Sequence, residues 1–183
     1  MSVVRLPTPH GTLALDLGYR TVGWACGQLM DRDPVFGSWE LPAVGGEGAK
    51  FAAFENELSA AMEMFQPSDV IAEAMLPLMA IIGRTDAATY RMQAGLRAFA
   101  ASEAWRGSAA FREIDAFTVR NEVIGRGHFP KGHAKAEVIR FCRDRGWIVA
   151  DDHQADACIT WRWLQMKLNG IRPLAGPLWK GTA

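Results

Sequence analysis

The chain has 183 residues, 49% of them apolar, with 20 basic and 20 acidic side chains and a formal net charge of zero. That length suits one domain with a sizeable core. The charge balance speaks against a protein that holds nucleic acid by net positive charge alone.

No apolar run approaches the ~20 residues needed to span a bilayer; the longest, residues 74–82, contains a proline. Residues 1–10 lack the long apolar core of a secretory signal, so no membrane role is expected and the chain reads as cytoplasmic. Cys26, Cys142 and Cys158 are odd in number and include no C-x-x-C pair. Neither a disulfide framework nor a zinc site is expected, and the three read as reduced thiols in or near the core.

Residues 1–11 carry two prolines and a glycine and read as a flexible N-terminal arm. Residues 12–17 alternate and predict a strand, with 21–28 as its hairpin partner across Gly18 and Tyr19. Residues 35–41 predict a third strand, and the glycine-rich 42–48 a loop. Phe51, Phe54, Leu58, Ala61, Met62 and Phe65 recur at helical spacing, which predicts a helix over 50–65 ended by Pro67. Residues 69–72 have the continuous apolar centre of a buried parallel strand. Pro77 and Gly83 break the chain before the longest helical pattern, 86–105. Residues 108–114 are strand-like, 125–132 a loop, 134–145 helical, 147–150 a short strand and 156–168 a final helix. A tail follows over 171–183, leaving 12–170 as one domain. Antiparallel strands followed by strands alternating with helices imply an α/β protein, a mixed sheet flanked by helices.

Four side chains suggest chemistry. Asp16 sits inside the apolar run Leu13–Leu17, and Glu73 follows the strand Val70-Ile71-Ala72. A carboxylate in an apolar strand is costly unless paired or bound to metal. His153 and Asp156 lie three apart at the start of the last helix and share a face. Three carboxylates and one imidazole suit Mg²⁺ or Mn²⁺ better than zinc, because hard cations prefer oxygen. Two such ions can activate water and stabilise the leaving oxygen of a phosphodiester, with no protein nucleophile. No G-x-S-x-G motif or Cys–His pattern supplies one. Each residue also has a plain structural reading: Asp16 capping a turn, Glu73 marking a strand end, His153 capping the last helix, Asp156 in a solvated first turn.

Charge is unevenly spread. Residues 118–146 carry seven basic and three acidic side chains, a net +4 that leaves −4 elsewhere. A basic surface beside an acidic metal site gives this pattern. Lys131 and Lys135 fall there and are assigned to phosphate contact rather than to a merely solvated helix face. Trp161 and Trp163 cannot share a helix face; Trp161 reads as core and Trp163 as rim. Met62, Met64, Met75 and Met79 read as packing residues.

The order of these motifs resembles the RuvC-type Holliday-junction resolvases. Asp16-Leu-Gly18-Tyr-Arg-Thr21-Val-Gly23-Trp24 looks like their opening hairpin, Ile71-Ala72-Glu73 their second acidic strand, and His153-Gln-Ala-Asp156-Ala157 their closing motif. Arg84 through Gly95 resembles the start of their central helix, and Val119-Arg120 through Gly127, then Lys135, their basic segment. Together the likeness spans roughly residues 12 to 168.

The resemblance implies a ribonuclease H-like five-stranded mixed sheet. It implies Asp16, Glu73, His153 and Asp156 as catalytic metal ligands for Mg²⁺ or Mn²⁺, two ions per site. It places Arg120 and Lys135 against DNA phosphate, with Arg126 and Lys131 assigned to DNA from the basic stretch around them, and Leu76 where resolvases carry an apolar side chain that helps open the junction. It implies a homodimer on branched DNA, with the central helix at the dimer contact and two sites nicking opposing strands. Asp151 and Asp152, beside His153, compete with it as ligands. Three rivals stay open: another ribonuclease H-like nuclease acting on other branched DNA or RNA–DNA hybrids, a sugar-kinase or actin-like phosphate binder, and a non-catalytic DNA-binding dimer.

Overall fold

The computed structural model of the chain describes residues 11–75 and 86–170. Leu76, Met79 and Arg84, residues 1–10 of the expected 1–11 arm and the tail over 171–183 lie outside the described residues, while Gly11 opens the first strand rather than ending the arm. Five strands form one sheet: β1 (Gly11–Leu17), β2 (Thr21–Gln28), β3 (Val35–Glu40), β4 (Pro67–Glu73) and β5 (Ala110–Ile114). Their order is β3-β2-β1-β4-β5. The first three strands pair antiparallel, while β4 and β5 add parallel to β1. Five described helices flank it: α1 (Gly46–Phe65), α2 (Ala87–Arg106), α3 (Ala116–Ile124), α4 (Ala134–Asp144) and α5 (Asp152–Leu168). This is the mixed α/β sheet the sequence pattern predicts. Among the described residues no helix is long and apolar enough to cross a membrane.

Side-chain alternation divides the core in two. Leu13, Leu15 and Leu17 of β1, with Val70 and Ala72 of β4, pack against Phe54 and Leu58 of α1 and Met92 and Leu96 of α2. Ala14 and Ile71, one step along, face the opposite layer of α3, α4 and α5. Period-two geometry then puts Asp16 and Glu73 on that second face as well. Parallel pairing of Leu15 with Ala72 sets them side by side, one step further along two neighbouring strands.

The last helix is stitched to this face at both ends. Near its C-terminus, buried Gln165 donates through Nε2 to Thr12 Oγ1 at 2.9 Å and to the Gln28 carbonyl at 3.0 Å. At its N-terminus, Asp151 caps the helix by accepting from the Gln154 N–H at 2.7 Å. Gly23 pairs across the sheet with Asp16. The space a Cβ on Gly23 would occupy is filled by the His153 backbone, and a Cβ on Gly18 would lie 2.7 Å from His153 Cε1. The two glycines of the opening hairpin are therefore what let α5 dock. On the other face, Lys50 of α1 donates to the Tyr19 carbonyl at 2.9 Å and fixes the hairpin turn.

Several local expectations change. Residues 147–150 form no strand: Trp147 and Val149 pack into the helical layer, Ile148 is exposed, and no strand among the described residues pairs with them. Helix α3 was not expected; Asp115 caps it, accepting from the Thr118 N–H at 2.8 Å. The last helix starts at Asp152, earlier than 156, and its cap is Asp151 rather than His153. Met64 points to solvent. Trp161 is buried and Trp163 half-buried, as expected, and all three cysteines are free and buried.

Gly23→Ala forces a methyl into the His153 backbone. We expect a loss of about 1–3 kcal/mol, the usual cost of overpacking, read by urea denaturation. A neutral result would show that α5 docks more loosely than the geometry requires.

Candidate active site

The site lies where the C-terminal ends of β1 and β4 meet the first turn of α5. In open sheets ligands bind at the carboxyl ends of parallel strands. Asp16 and Glu73 come from the strands, His153 and Asp156 from one face of the helix. His153 Nδ1 and Asp16 Oδ2 are 2.6 Å apart, so an Nδ1–H donates to the carboxylate. Glu73 and Asp156 share the lining of a cleft of about 350 Å³ with Arg120 and Lys135.

The carboxylates feel one another. Burial, then the charge of Asp16, pushes the Glu73 carboxyl up to about 7, against the opposing pull of Arg120 and Arg97. Burial, then Asp16 and Glu73, pushes Asp156 up to about 7 as well. The hydrogen bond to Asp16 holds His153 above the ordinary imidazole range. Three acids crowded with too little positive charge are a configuration a cation would relieve. Their oxygen chemistry fits Mg²⁺ or Mn²⁺. Among the described residues, however, no three His, Cys, Asp or Glu groups are gathered tightly enough to hold a metal ion as they stand. The donors match the ion in kind, and their spacing is open.

Asp151 and Asp152 are otherwise engaged. Asp151 caps α5 and accepts from Ser38 Oγ at 3.4 Å. Asp152 accepts a hydrogen bond from Lys135 Nζ. Burial acts to raise the Asp152 carboxyl, but Lys135 and His153 bring it below its ordinary value. Of the three neighbours in sequence, His153 is the one that touches Asp16.

The basic residues divide. Arg120 and Lys135 line the cleft, and Arg120 Nε is steadied by the Ala116 carbonyl at 3.0 Å. Arg126 and Lys131 sit exposed on the loop between α3 and α4, outside that lining. Arg126 donates to the His128 carbonyl at 2.8 Å within its own loop. Leu76 falls outside the described residues.

Sequence reasoning missed Arg97 of α2. Its guanidinium donates through Nε to the Glu73 carbonyl at 3.1 Å, again through Nη2, and pairs with Glu113 at 3.3 Å. It ties the end of β4 to α2 and β5 beneath the acids. A lone arginine on a helix carries no signal for this. The missed cap Asp115 did carry one, an Asp three residues before Thr118.

No protein-family model matches the chain, and no curated protein matches it. Its fold is that of solved RuvC structures. Thermus thermophilus RuvC superposes with a TM-score of 0.69 at 16% identity, over 90% of this chain and 99% of that one. T. thermophilus RuvC in complex with Holliday junction substrate gives 0.68 at 13% identity, over the same 90% and 99%. The ribonuclease H-like architecture implied by the opening motifs is thus the one observed.

The raised acids fix a pH dependence. A carboxyl whose folded value exceeds its unfolded one binds more protons when folded, so stability falls as pH rises from its ordinary value, 4.5 for Glu73 and 3.8 for Asp156, towards about 7. His153, also raised, acts in the same direction. Without divalent metal, Glu73→Gln should match wild type near pH ~4 and exceed it by about 1–3 kcal/mol near pH ~8. Equal stability of the two proteins at both values, by chemical denaturation, would contradict the crowding.

Proposed function

We propose that the chain is a metal-dependent, structure-selective DNA endonuclease of the RuvC type, resolving four-way (Holliday) junctions by paired phosphodiester hydrolysis. One observation carries the reading: the convergence of Asp16, Glu73 and Asp156, with His153 on Asp16, at the strand ends of a fold shared with RuvC. One of the similar structures is that of a RuvC with a Holliday junction substrate.

Asp16, Glu73 and Asp156 would hold the ions, with His153 a further ligand or the group that orients Asp16. Bound Mg²⁺ supplies an activated water and charge at the leaving oxygen. Arg120 and Lys135, in the cleft wall, meet phosphates on either side of the scissile one, with Arg126 and Lys131 further out. To reach Asp16 or a phosphate, Lys135 exchanges its present partner Asp152. Arg97 keeps the Glu73 backbone in place. A homodimer acting on branched DNA presents two such clefts to opposing strands, and Leu76 is assigned to opening the junction. Recognition rests on backbone charge and junction shape more than on base edges.

The open spacing of the donors favours a second reading, a non-catalytic DNA-binding dimer. A synthetic four-way junction with Mg²⁺ separates the two. Wild type should make paired nicks. Asp16→Asn should lose at least about a hundredfold in rate while still binding the junction, as expected when a metal ligand is removed and the phosphate contacts remain. Binding without nicking by wild type would establish the second reading. Equal cleavage of junction and linear duplex would remove junction selectivity and leave a general nuclease.

A further inference from the structure

The basic stretch 118–146 does not form one surface. Arg120 and Lys135 go to the cleft, whereas Arg145 goes elsewhere. It joins Arg32, from the turn between β2 and β3, and Arg162, from α5, around a second pocket of about 400 Å³ completed by Asp33, Asp144 and Trp147. Trp147 Nε1 donates to Asp33 Oδ1 at 2.7 Å. That bond ties the β2–β3 turn to the connection between α4 and α5, and so brings Arg32 to the same pocket as Arg145.

Both carboxylates here are already engaged, Asp33 by Trp147 and Asp144 by Arg140 at 3.5 Å. The three arginines are not. Among the described residues, none of them has an ion-pair or side-chain hydrogen-bond partner, whereas Arg91, Arg106, Arg112 and Arg140 all pair with acids. Arg145 lies over the Phe141 ring at 3.5 Å, which sets the plane of its fork. Arg145 is exposed overall, yet partial burial of its guanidinium, and then the positive charge of Arg162, hold it below the ordinary arginine range against the opposing charge of Asp144. Three guanidinium groups against two carboxylates leave the pocket a net +1, and planar guanidinium forks match phosphate in bidentate fashion.

We infer that Arg32, Arg145 and Arg162 form a second phosphate site, one that holds a backbone phosphate of an arm of bound DNA away from the cleft. The inference rests on the DNA-cleaving reading. Arg162 lies nine residues beyond His153 on α5, roughly 14 Å along the helix axis at ~1.5 Å per residue. At about 100° per residue the nine residues also turn Arg162 to the opposite side of α5 from His153, so the pocket stands clear of the cleft. A phosphate gripped there fixes the direction in which an arm leaves the cleft, which a single contact point at the nick cannot do.

The test is fluorescence anisotropy of a labelled four-way junction, without divalent metal, over a series of salt concentrations. The variants are Arg145→Gln/Arg162→Gln and, on the exposed turn in case the pair does not fold, Arg32→Glu. Each should weaken binding about five- to tenfold and lower the slope of log affinity against log salt by about one, the loss of one phosphate contact. A neutral methylphosphonate scanned along each arm should, at one position away from the nick, weaken wild type by the same factor and the variants little further. Variants that bind like wild type with an unchanged slope would overturn the inference and leave the nuclease reading intact. A wild type that binds no junction would sink both. A third arm heats each protein with inorganic phosphate. Stabilisation of wild type alone, with DNA affinity equal in all variants, would assign the pocket to a free phosphate and overturn the DNA contact.

Discussion

Mutual repulsion among Asp16, Glu73 and Asp156 is the constraint around which this molecule is arranged. Two of these acids sit at the ends of neighbouring parallel strands and the third on a helix packed across them. Burial and proximity push Glu73 and Asp156 up to about 7. Left alone, such a cluster would splay apart. It is held by contacts outside the cluster: the empty Cβ positions of Gly18 and Gly23, the Asp151 cap, Gln165 bound to Thr12, and Arg97, whose guanidinium holds the Glu73 carbonyl and offsets part of the acids' charge. Scaffold and site therefore pull against each other, which is the ordinary signature of a functional centre.

Charge is handled in the same spirit. The chain is neutral as a whole, yet its cations are not spread evenly. Arg120 and Lys135 face the acids across the cleft, while three arginines gather at a separate pocket against two carboxylates, Asp33 and Asp144. A neutral protein organised this way presents local positive surfaces to an anionic polymer without a field over its whole surface. Binding by such surfaces is sensitive to salt and to the path of the phosphate backbone.

Much of this was legible in the sequence. Asp16 and Glu73 stood out because a carboxylate in an apolar strand needs a reason; that they share one face of the sheet required the parallel register of β1 and β4. His153 and Asp156 stood out by helical spacing. The β1–β2–β3 meander and the two long helices followed from periodicity and from Pro67 and Asp86. What stayed hidden depended on contacts between distant parts of the chain. Gly18 and Gly23 were visible as a motif, but their purpose requires His153, more than a hundred residues away. Trp147-Ile148-Val149 alternates like a strand, yet its inward residues pack on helices and no strand among the described residues pairs with it. Helix α3 was masked by Phe117, Val119 and Val123, residues that favour strands, although Asp115 and Thr118 spell its cap. The split of the basic stretch into two surfaces could not be seen in one dimension at all.

Everything proposed for the site depends on whether those three acids close on divalent cations. Crystals grown with Mn²⁺ and measured at the manganese absorption edge test that directly. The account predicts anomalous density between Asp16, Glu73 and Asp156, at oxygen distances of about 2.0–2.2 Å, with the carboxylates drawn in from their present open spacing. Strong manganese peaks elsewhere, with this cleft holding only water at saturating metal, would contradict it.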